Sequence, residues 1–219
     1  MLNIITISLK IATLATIVVL IFGVLVARLL TKYDFKGKDI IETLILLPMT
    51  LPPSVVGYSL LVIIGKRGFV GKFLENTFGI SLVFTWIAGC IAAAIVSFPL
   101  MYQQCKSAFS SIDGTIEDAA RSLGANEIQI FFRITLPLAF KGIMHGLVLT
   151  FARALGEFGA TLMVSGNIPG KTRNIPIAIY FAVETGDTAM ANKLVLIEVI
   201  FSFAVVYGVN FWIKKKVSY

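Results

Sequence analysis

Five long apolar runs leave this 219-residue chain little choice of backbone conformation. They cover about 6–29, 43–64, 82–105, 139–163 and 190–213, and a helix of roughly 20 apolar residues crosses a bilayer core. Inside lipid every backbone N–H and C=O must find a partner within the protein, so the runs predict membrane-spanning helices. The chain is 57% hydrophobic and only 14% charged, against roughly 25% charged for a soluble domain. The expectation is an all-α integral membrane protein forming one transmembrane domain over 1–219, with no room for a separate catalytic module. The first run is read as a retained span and not a signal peptide. It is too long, lacks a basic start, and is followed directly by Arg28 and Lys32. Residues 175–183 are too few to cross and are expected as a short external or re-entrant helix.

The net charge of +7 belongs to loops. Arg28, Lys32, Lys36 and Lys38 follow the first run. Lys106, Arg121, Arg133 and Lys141 lie in or beside the loop after the third, and Lys214, Lys215 and Lys216 follow the fifth. These outnumber the basic residues of the other loops, which places them in the cytoplasm, with the N-terminus outside and the C-terminus inside. The charge therefore marks topology and not nucleic-acid binding. Cys90 and Cys105 sit fifteen residues apart on one predicted helix, about 22 Å along its axis. They cannot bond to each other and read as buried packing residues.

One polar stretch interrupts the apolar pattern: residues 118–137, DAARSLGANEIQIFFRITLP. Ile112, Ile116, Ala119, Ala120 and Leu123 recur at helical spacing and form a narrow apolar face. Thr115 is the expected N-cap, with Asp118 three residues on, and Gly124 suits the left-handed residue that ends a helix. A helix of about eight residues is marginal alone in water, so it needs a docking surface. Its own membrane helices or a separate subunit would both serve. Asn126 is expected to cap the next helix, from which Ile128, Phe131, Phe132 and Leu136 lead into the fourth span, with Pro137 bending or restarting it.

Four further features bear on function. SGNIPGKT, residues 165–172, imitates a phosphate loop. Only three residues separate Gly166 from Gly170, and the segment follows an apolar helix instead of a strand. It is read as an external turn, so no nucleotide-binding motif is visible. Pro48, Pro52 and Pro53 fit either a helix entry with a kink or a broken segment lining a pathway. Arg153 and Glu157, four apart in the fourth run, fit either an intrahelical ion pair or a pathway site, with Gly156 and Gly159 permitting close helix approach. Lys10 is expected to snorkel at the outer end of the first span. Glu198 is a polar packing or pathway residue, and His145, the single histidine, is expected to make local hydrogen bonds. GCIAAA, residues 89–94, reads as a small-residue packing face.

The polar stretch resembles the cytoplasmic coupling motif of ABC importer permeases: acidic–Ala–Ala, three residues, Gly, nine residues, Ile, one residue, Leu–Pro. Asp118 stands where the family usually has Glu, with Glu117 beside it. The likeness extends over about 8–213 to the molybdate permease family, through LPPSVVGYSLLVIIGKRGFVG, SFPLMYQQ and FARALGEFGATLMVSGNIPGKTRNIPIAIY. It implies a type I ABC importer permease-like bundle of about five spans plus a short cytoplasmic coupling helix, within a coupling segment of about 112–137. It assigns ATPase coupling to Glu117, Asp118, Ala119, Ala120, Gly124, Ile134, Leu136 and Pro137. Pro52, Pro53, Ser54, Arg153 and Glu157 become candidates for the translocation pathway. The implied assembly, in a prokaryotic cell membrane, pairs two copies of this chain with a homodimeric ABC ATPase that uses ATP and Mg. An extracytoplasmic binding protein supplies the oxyanion, molybdate or tungstate. The chain itself would bind no cofactor and no nucleic acid. A sulfate or thiosulfate permease and a non-transporting membrane scaffold are the alternatives.

Overall fold

The computed structural model describes residues 1–217, without the side chains of residues 210, 212–214 and 216–217. Lys214 and Lys216 of the terminal basic cluster therefore lie outside the described residues. The order is α1 (Leu2–Lys32), α2 (Lys38–Thr50), α3 (Pro53–Ile64), α4 (Phe69–Phe78), α5 (Trp86–Ser110), α6 (Gly114–Ser122) and α7 (Glu127–Ile130). A π-helical turn (Phe131–Thr135) leads into α8 (Leu136–Leu155), then α9 (Gly159–Ser165), α10 (Ile175–Glu184) and α11 (Thr188–Val217). Among the described residues no strand occurs. α1, α5, the continuous stretch Glu127–Leu155 and Thr188–Val209 are long and apolar enough to cross a membrane, and α2 with α3 makes a fifth if the bent pair counts as one.

Two spans are broken where single helices were expected. Residues 43–64 form α2 and α3, which turn by 116° at a short break. Pro52 and Pro53 stand back to back there, and neither has an N–H to extend the ladder of α2. Each also forces its predecessor out of the helical region, and Leu51 is extended at φ −80°, ψ 145°. Pro48, expected at the helix entry, lies inside α2. Residues 139–163 likewise divide, α8 ending at Leu155 and α9 beginning at Gly159. α4 was not anticipated. It folds straight back on α3, since a Cβ on Gly71 would lie 1.9 Å from the Gly65 carbonyl oxygen.

α5 is the central helix. It packs along α1 on one side and α8 on the other, while α3 lies on α9. The GCIAAA face accounts for this position: Ala88, Ala92 and Ala93 are fully buried, and a Cβ on Gly89 would already touch Ile11 and Thr161. Small residues let helices approach where lipid offers no hydrophobic drive to pack them. Larger side chains fill the half of the bundle near the C-terminal ends of α1 and α5, where Val19, Ala27 and Leu30 of α1 meet Met101, Tyr102, Cys105 and Phe109 of α5 and Ile143 of α8. Both cysteines are buried and unbridged. The short 175–183 segment is α10, capped by Asn174 and packed on α11 and α1.

Candidate functional site: a clamped short helix

α6 is built by strong end signals. Its N-cap is Asp113 and not Thr115: the Asp113 carboxylate accepts the Thr115 N–H at 3.0 Å. The helix begins two residues earlier than expected, at Gly114, so Thr115 is already inside it and its amide needs an acceptor from outside. At the other end Gly124 adopts φ 84°. Its N–H donates to the Arg121 carbonyl and that of Ala125 donates to the Ala120 carbonyl, the double closure of a Schellman end. Asn126 then opens α7 with a reciprocal capping box to Gln129.

The helix is held by charge, and its apolar side faces outward. Glu117 is buried. Its carboxylate accepts from Arg28 of α1 at 2.9 Å, from the Thr135 hydroxyl at 2.6 Å, and from Arg121 at 3.3 Å. Burial is the largest single influence on Glu117 and raises its pKa. The hydrogen bonds from Arg28 and Thr135, with the charges of Arg28 and Arg121, outweigh it and hold the group below the ordinary 4.5. Arg121 also binds Glu127 and Asp118, and Lys32 binds Glu127. Arg28, Lys32 and Arg121 thus balance Glu117, Asp118 and Glu127 in one network joining α1, α6 and the long helix.

Thr135 reaches this network through the π turn. The Leu136 N–H bonds the Phe131 carbonyl five residues back. The extra residue in that turn aims Thr135 inward, and its hydroxyl is fully buried. π turns of this kind recur at functional sites. Pro137 therefore neither breaks nor restarts the helix, which runs on through the wider turn from Glu127 to Leu155.

Of the two docking surfaces open to the apolar face, the chain's own helices cover little of it. Of Ile112, Ile116, Ala119, Ala120 and Leu123, Ala120 is buried and Ile112 half-buried, while Ile116, Ala119 and Leu123 are exposed. Leu123 is 88% exposed, and Ile128 and Phe132 add 70% and 61% exposure beside it. Asp118 is exposed too, with 74% of its side chain open to solvent. Of the remaining motif positions, Gly124 and Pro137 are exposed, Ile134 is half-buried, and Leu136 packs against the core shared by α1, α5 and α8.

The second group of candidate residues lies at the two broken spans, which meet. A Cβ on Gly159 would be 2.8 Å from Pro53 Cβ, and one on Gly57 would be 2.9 Å from Ala160 Cα. Pro52, Pro53 and Ser54 are exposed. Glu157 is 1% exposed. It pairs with Arg153 at 2.7 Å, accepts the Ala160 N–H at 2.9 Å, and its carbonyl accepts from Asn174. The pair therefore spans the α8–α9 break, where Glu157 satisfies the first turn of α9, and is not an ion pair within one helix. Gly156, expected to permit close approach, meets only its own helix's Ala152 carbonyl, at 3.8 Å. His145 is half-buried between α5 and α8 beside Gln104 and Lys141.

SGNIPGKT is a closed turn. The N–H groups of Lys171, Thr172 and Arg173 all donate to the Ile168 carbonyl. The Thr172 hydroxyl accepts from the Ile168 N–H and donates to the Gly166 carbonyl. The Lys171, Thr172 and Arg173 amides are therefore taken up within the turn and not turned to a phosphate.

Residues 11–218 match the family of binding-protein-dependent transport system inner membrane components. The chain belongs to this family. The molybdenum transport system permease protein ModB of Escherichia coli (strain K12) is 47% identical over 193 residues, covering 88% of this chain and 84% of that one. The putative molybdenum transport system permease protein YvgM of Bacillus subtilis (strain 168) is 44% identical over 206 residues, 94% of this chain and 91% of that one. The probable sulfate transport system permease protein cysT of Chlorokybus atmophyticus is 35% identical over 205 residues, 94% and 71% of the two chains. Among solved structures, a chain of the bacterial alginate ABC transporter in complex with alginate pentasaccharide-bound periplasmic protein matches with a TM-score of 0.77. The match covers 96% of this chain and 77% of that one at 18% identity. The fold is thus that of a type I ABC importer membrane subunit.

Within this inner membrane component, sequence reasoning missed the residues that hold the coupling segment. Arg28 and Lys32 were read only as topology signals, and Thr135 and Glu127 went unremarked. Their spacing held a signal: Arg28 and Lys32 are four apart on α1, hence on one face, opposite a segment rich in carboxylates.

Proposed function

We propose that this chain is the membrane subunit of an ATP-driven importer of molybdate, and of the closely similar tungstate. It works as a homodimer on two ABC ATPase subunits that supply ATP and Mg chemistry, and takes its oxyanion from an extracytoplasmic binding protein. The N-terminal end of α1 faces outside and the coupling segment faces the cytoplasm. The observation that carries the reading is the exposure of Ile116, Leu123, Ile128 and Phe132, together with Asp118, on one short segment. These apolar side chains are exposed on a segment that a buried charge network ties to α1 and to the long helix. A surface so clamped behind and so apolar in front suits a protein cleft. Asp118 is the carboxylate that meets the partner, because Glu117 is spent inside. Closure of the ATPase draws the two coupling helices together. The motion passes into α1 and α8 and opens the pathway to the outside, and hydrolysis resets it. ATP does this by binding one state more tightly than the other. Molybdate is favoured over sulfate because the molybdenum permeases are the nearer relatives, at 44% and 47% identity against 35%.

The test is Leu123→Asp in the complete transporter. ATPase subunits should no longer co-purify, and ATP-dependent molybdate uptake into proteoliposomes should cease. The melting midpoint of the permease alone should hold, because exposed substitutions shift stability by about 0.5 kcal/mol or less. Full ATPase retention and normal uptake would reject the reading. Competition among molybdate, tungstate and sulfate in the same vesicles ranks the substrates.

A further inference from the structure

The end of α1 remote from the charge network carries a second cationic feature. Lys10 precedes Arg28 by eighteen residues, about 27 Å of helix, close to the roughly 30 Å of a hydrocarbon core. With Arg28 at one membrane interface, Lys10 stands near the other. A cavity of about 640 Å³ opens there between the start of α1, the start of α5 and the closed turn after α9. Asn3, Ile7, Lys10, Phe84, Trp86 and Lys171 are among its lining residues, and no Asp or Glu is.

Three observations set this cavity apart from an ordinary surface dip. First, neither lysine has an acidic partner among the described residues. Lys10, expected to snorkel freely, instead holds its ammonium 3.6 Å from the centre of the Trp86 ring, a cation–π contact that keeps the charge at the cavity rim. Second, Lys171 rises from a turn in which the amides of Lys171, Thr172 and Arg173 and the Thr172 hydroxyl are bonded internally. Its backbone is therefore rigid, and its side chain is the part left for a ligand. Third, Phe84 forms one wall at φ 60°, the only non-glycine residue with positive φ among those described. A bulky side chain seldom tolerates that region unless its surroundings impose it. Here its N–H is tied to the Val164 carbonyl at 2.9 Å. Its ring lies 3.1 Å from where a Cβ on Gly166 would stand.

We propose that this cavity binds a tetrahedral oxyanion of the phosphate class, with Lys10 and Lys171 as its cationic partners. The apolar wall of Ile7, Phe84 and Trp86 and a volume well beyond that of a bare anion fit a phosphate carried by an anionic phospholipid headgroup. Its glycerol would lie against the aromatic wall and its acyl chains along the exposed apolar face of α1, where Leu14, Ile17, Val18 and Ile21 follow. The same chemistry would admit a free oxyanion. The inference needs only the membrane placement of α1 and stands apart from the coupling segment.

Trp86 supplies the readout. The chain has two tryptophans, so Trp212→Phe leaves Trp86 as the sole indole of the full chain purified in detergent without its partner subunits. Short-chain phosphatidylglycerol, short-chain phosphatidylcholine and inorganic phosphate are titrated separately. A saturable change in Trp86 emission with phosphatidylglycerol is expected. Lys171→Gln, which leaves the Lys10–Trp86 pair intact and the starting spectrum unchanged, should weaken apparent affinity about fivefold, the usual effect of one basic residue facing an anionic headgroup. Saturation by inorganic phosphate with the same dependence on Lys171 supports the site and assigns a free oxyanion as its source. Saturation by phosphatidylglycerol alone assigns the headgroup. No saturable change with either anion, an affinity untouched by Lys171→Gln, or an equal response to phosphatidylcholine overturns the proposal.

Discussion

Replacing Glu117 with alanine removes one buried end of the coupling strut and strands the other. The Arg28 and Glu117 side chains are 14% and 11% exposed. Two of the bonds to Glu117 are short and sheltered, from Arg28 at 2.9 Å and Thr135 at 2.6 Å, while the third, from Arg121, is longer at 3.3 Å. A hydrogen bond to a charged group contributes about 1.5–3 kcal/mol, and breaking a buried pair costs about 3–5 kcal/mol. Arg28 keeps some solvent, so the lower end, about 3 kcal/mol, is expected. α6 has nine residues and cannot hold its shape alone, so the loss falls on its docking and not on the spans. Hydrogen exchange of the protein in nanodiscs should show the amides of 114–124 opening about a hundredfold more often, with α1 and α5 unchanged. The same carboxylate should give an acid transition. Its folded pKa lies below 4.5, so the charged form is the one the fold favours. The tether is fully present above the unfolded value and is lost as pH falls through the folded one. Protection of α6, corrected for intrinsic rates, should stay level from neutral pH down to about 5 and fall below it. The transition should vanish in Glu117→Gln. Exchange of α6 in Glu117→Ala indistinguishable from wild type would refute the strut.

Two more predictions concern the junction of the broken spans. Gly57→Ala places a Cβ 2.9 Å from a backbone atom of Ala160, so α3 and α9 must separate. The cost should be about 1–3 kcal/mol, read as a lower thermal midpoint in detergent. Gly156→Ala, with open space before it, should leave that midpoint in place. Arg153→Gln strands the Glu157 carboxylate and should cost about 3–5 kcal/mol. Adding Glu157→Gln should recover part of that loss, since the amide oxygen still accepts from Ala160. Strict additivity in this double-mutant cycle would disprove the coupling.

The helical bundle was legible because lipid imposes a simple rule on the backbone. Runs 6–29, 82–105 and 190–213 correspond to α1, α5 and α11 with shifts only at their ends. The breaks in 43–64 and 139–163 were not legible. An apolar run reads as continuous whether or not it is straight, and the second break is stabilised by Asn174, which donates to the Glu157 carbonyl from seventeen residues away. At the coupling segment the caps were nearly right, because Asp113, Gly124 and Asn126 act on amides within a few residues. The direction of the apolar face was left open by the sequence, because apolar spacing says where a stripe lies and not which neighbour covers it.

From its sequence alone the chain is committed to a membrane, to α-helices and to a short polar helix between two spans, because hydropathy and end-capping act locally. Only the tertiary structure decides which of two adjacent carboxylates turns inward. Glu117 is chosen by Arg28, 89 residues before it, and by Thr135, 18 residues after it. That choice leaves Asp118 and Leu123 outside, since burying a carboxylate requires partners that converge on it in space.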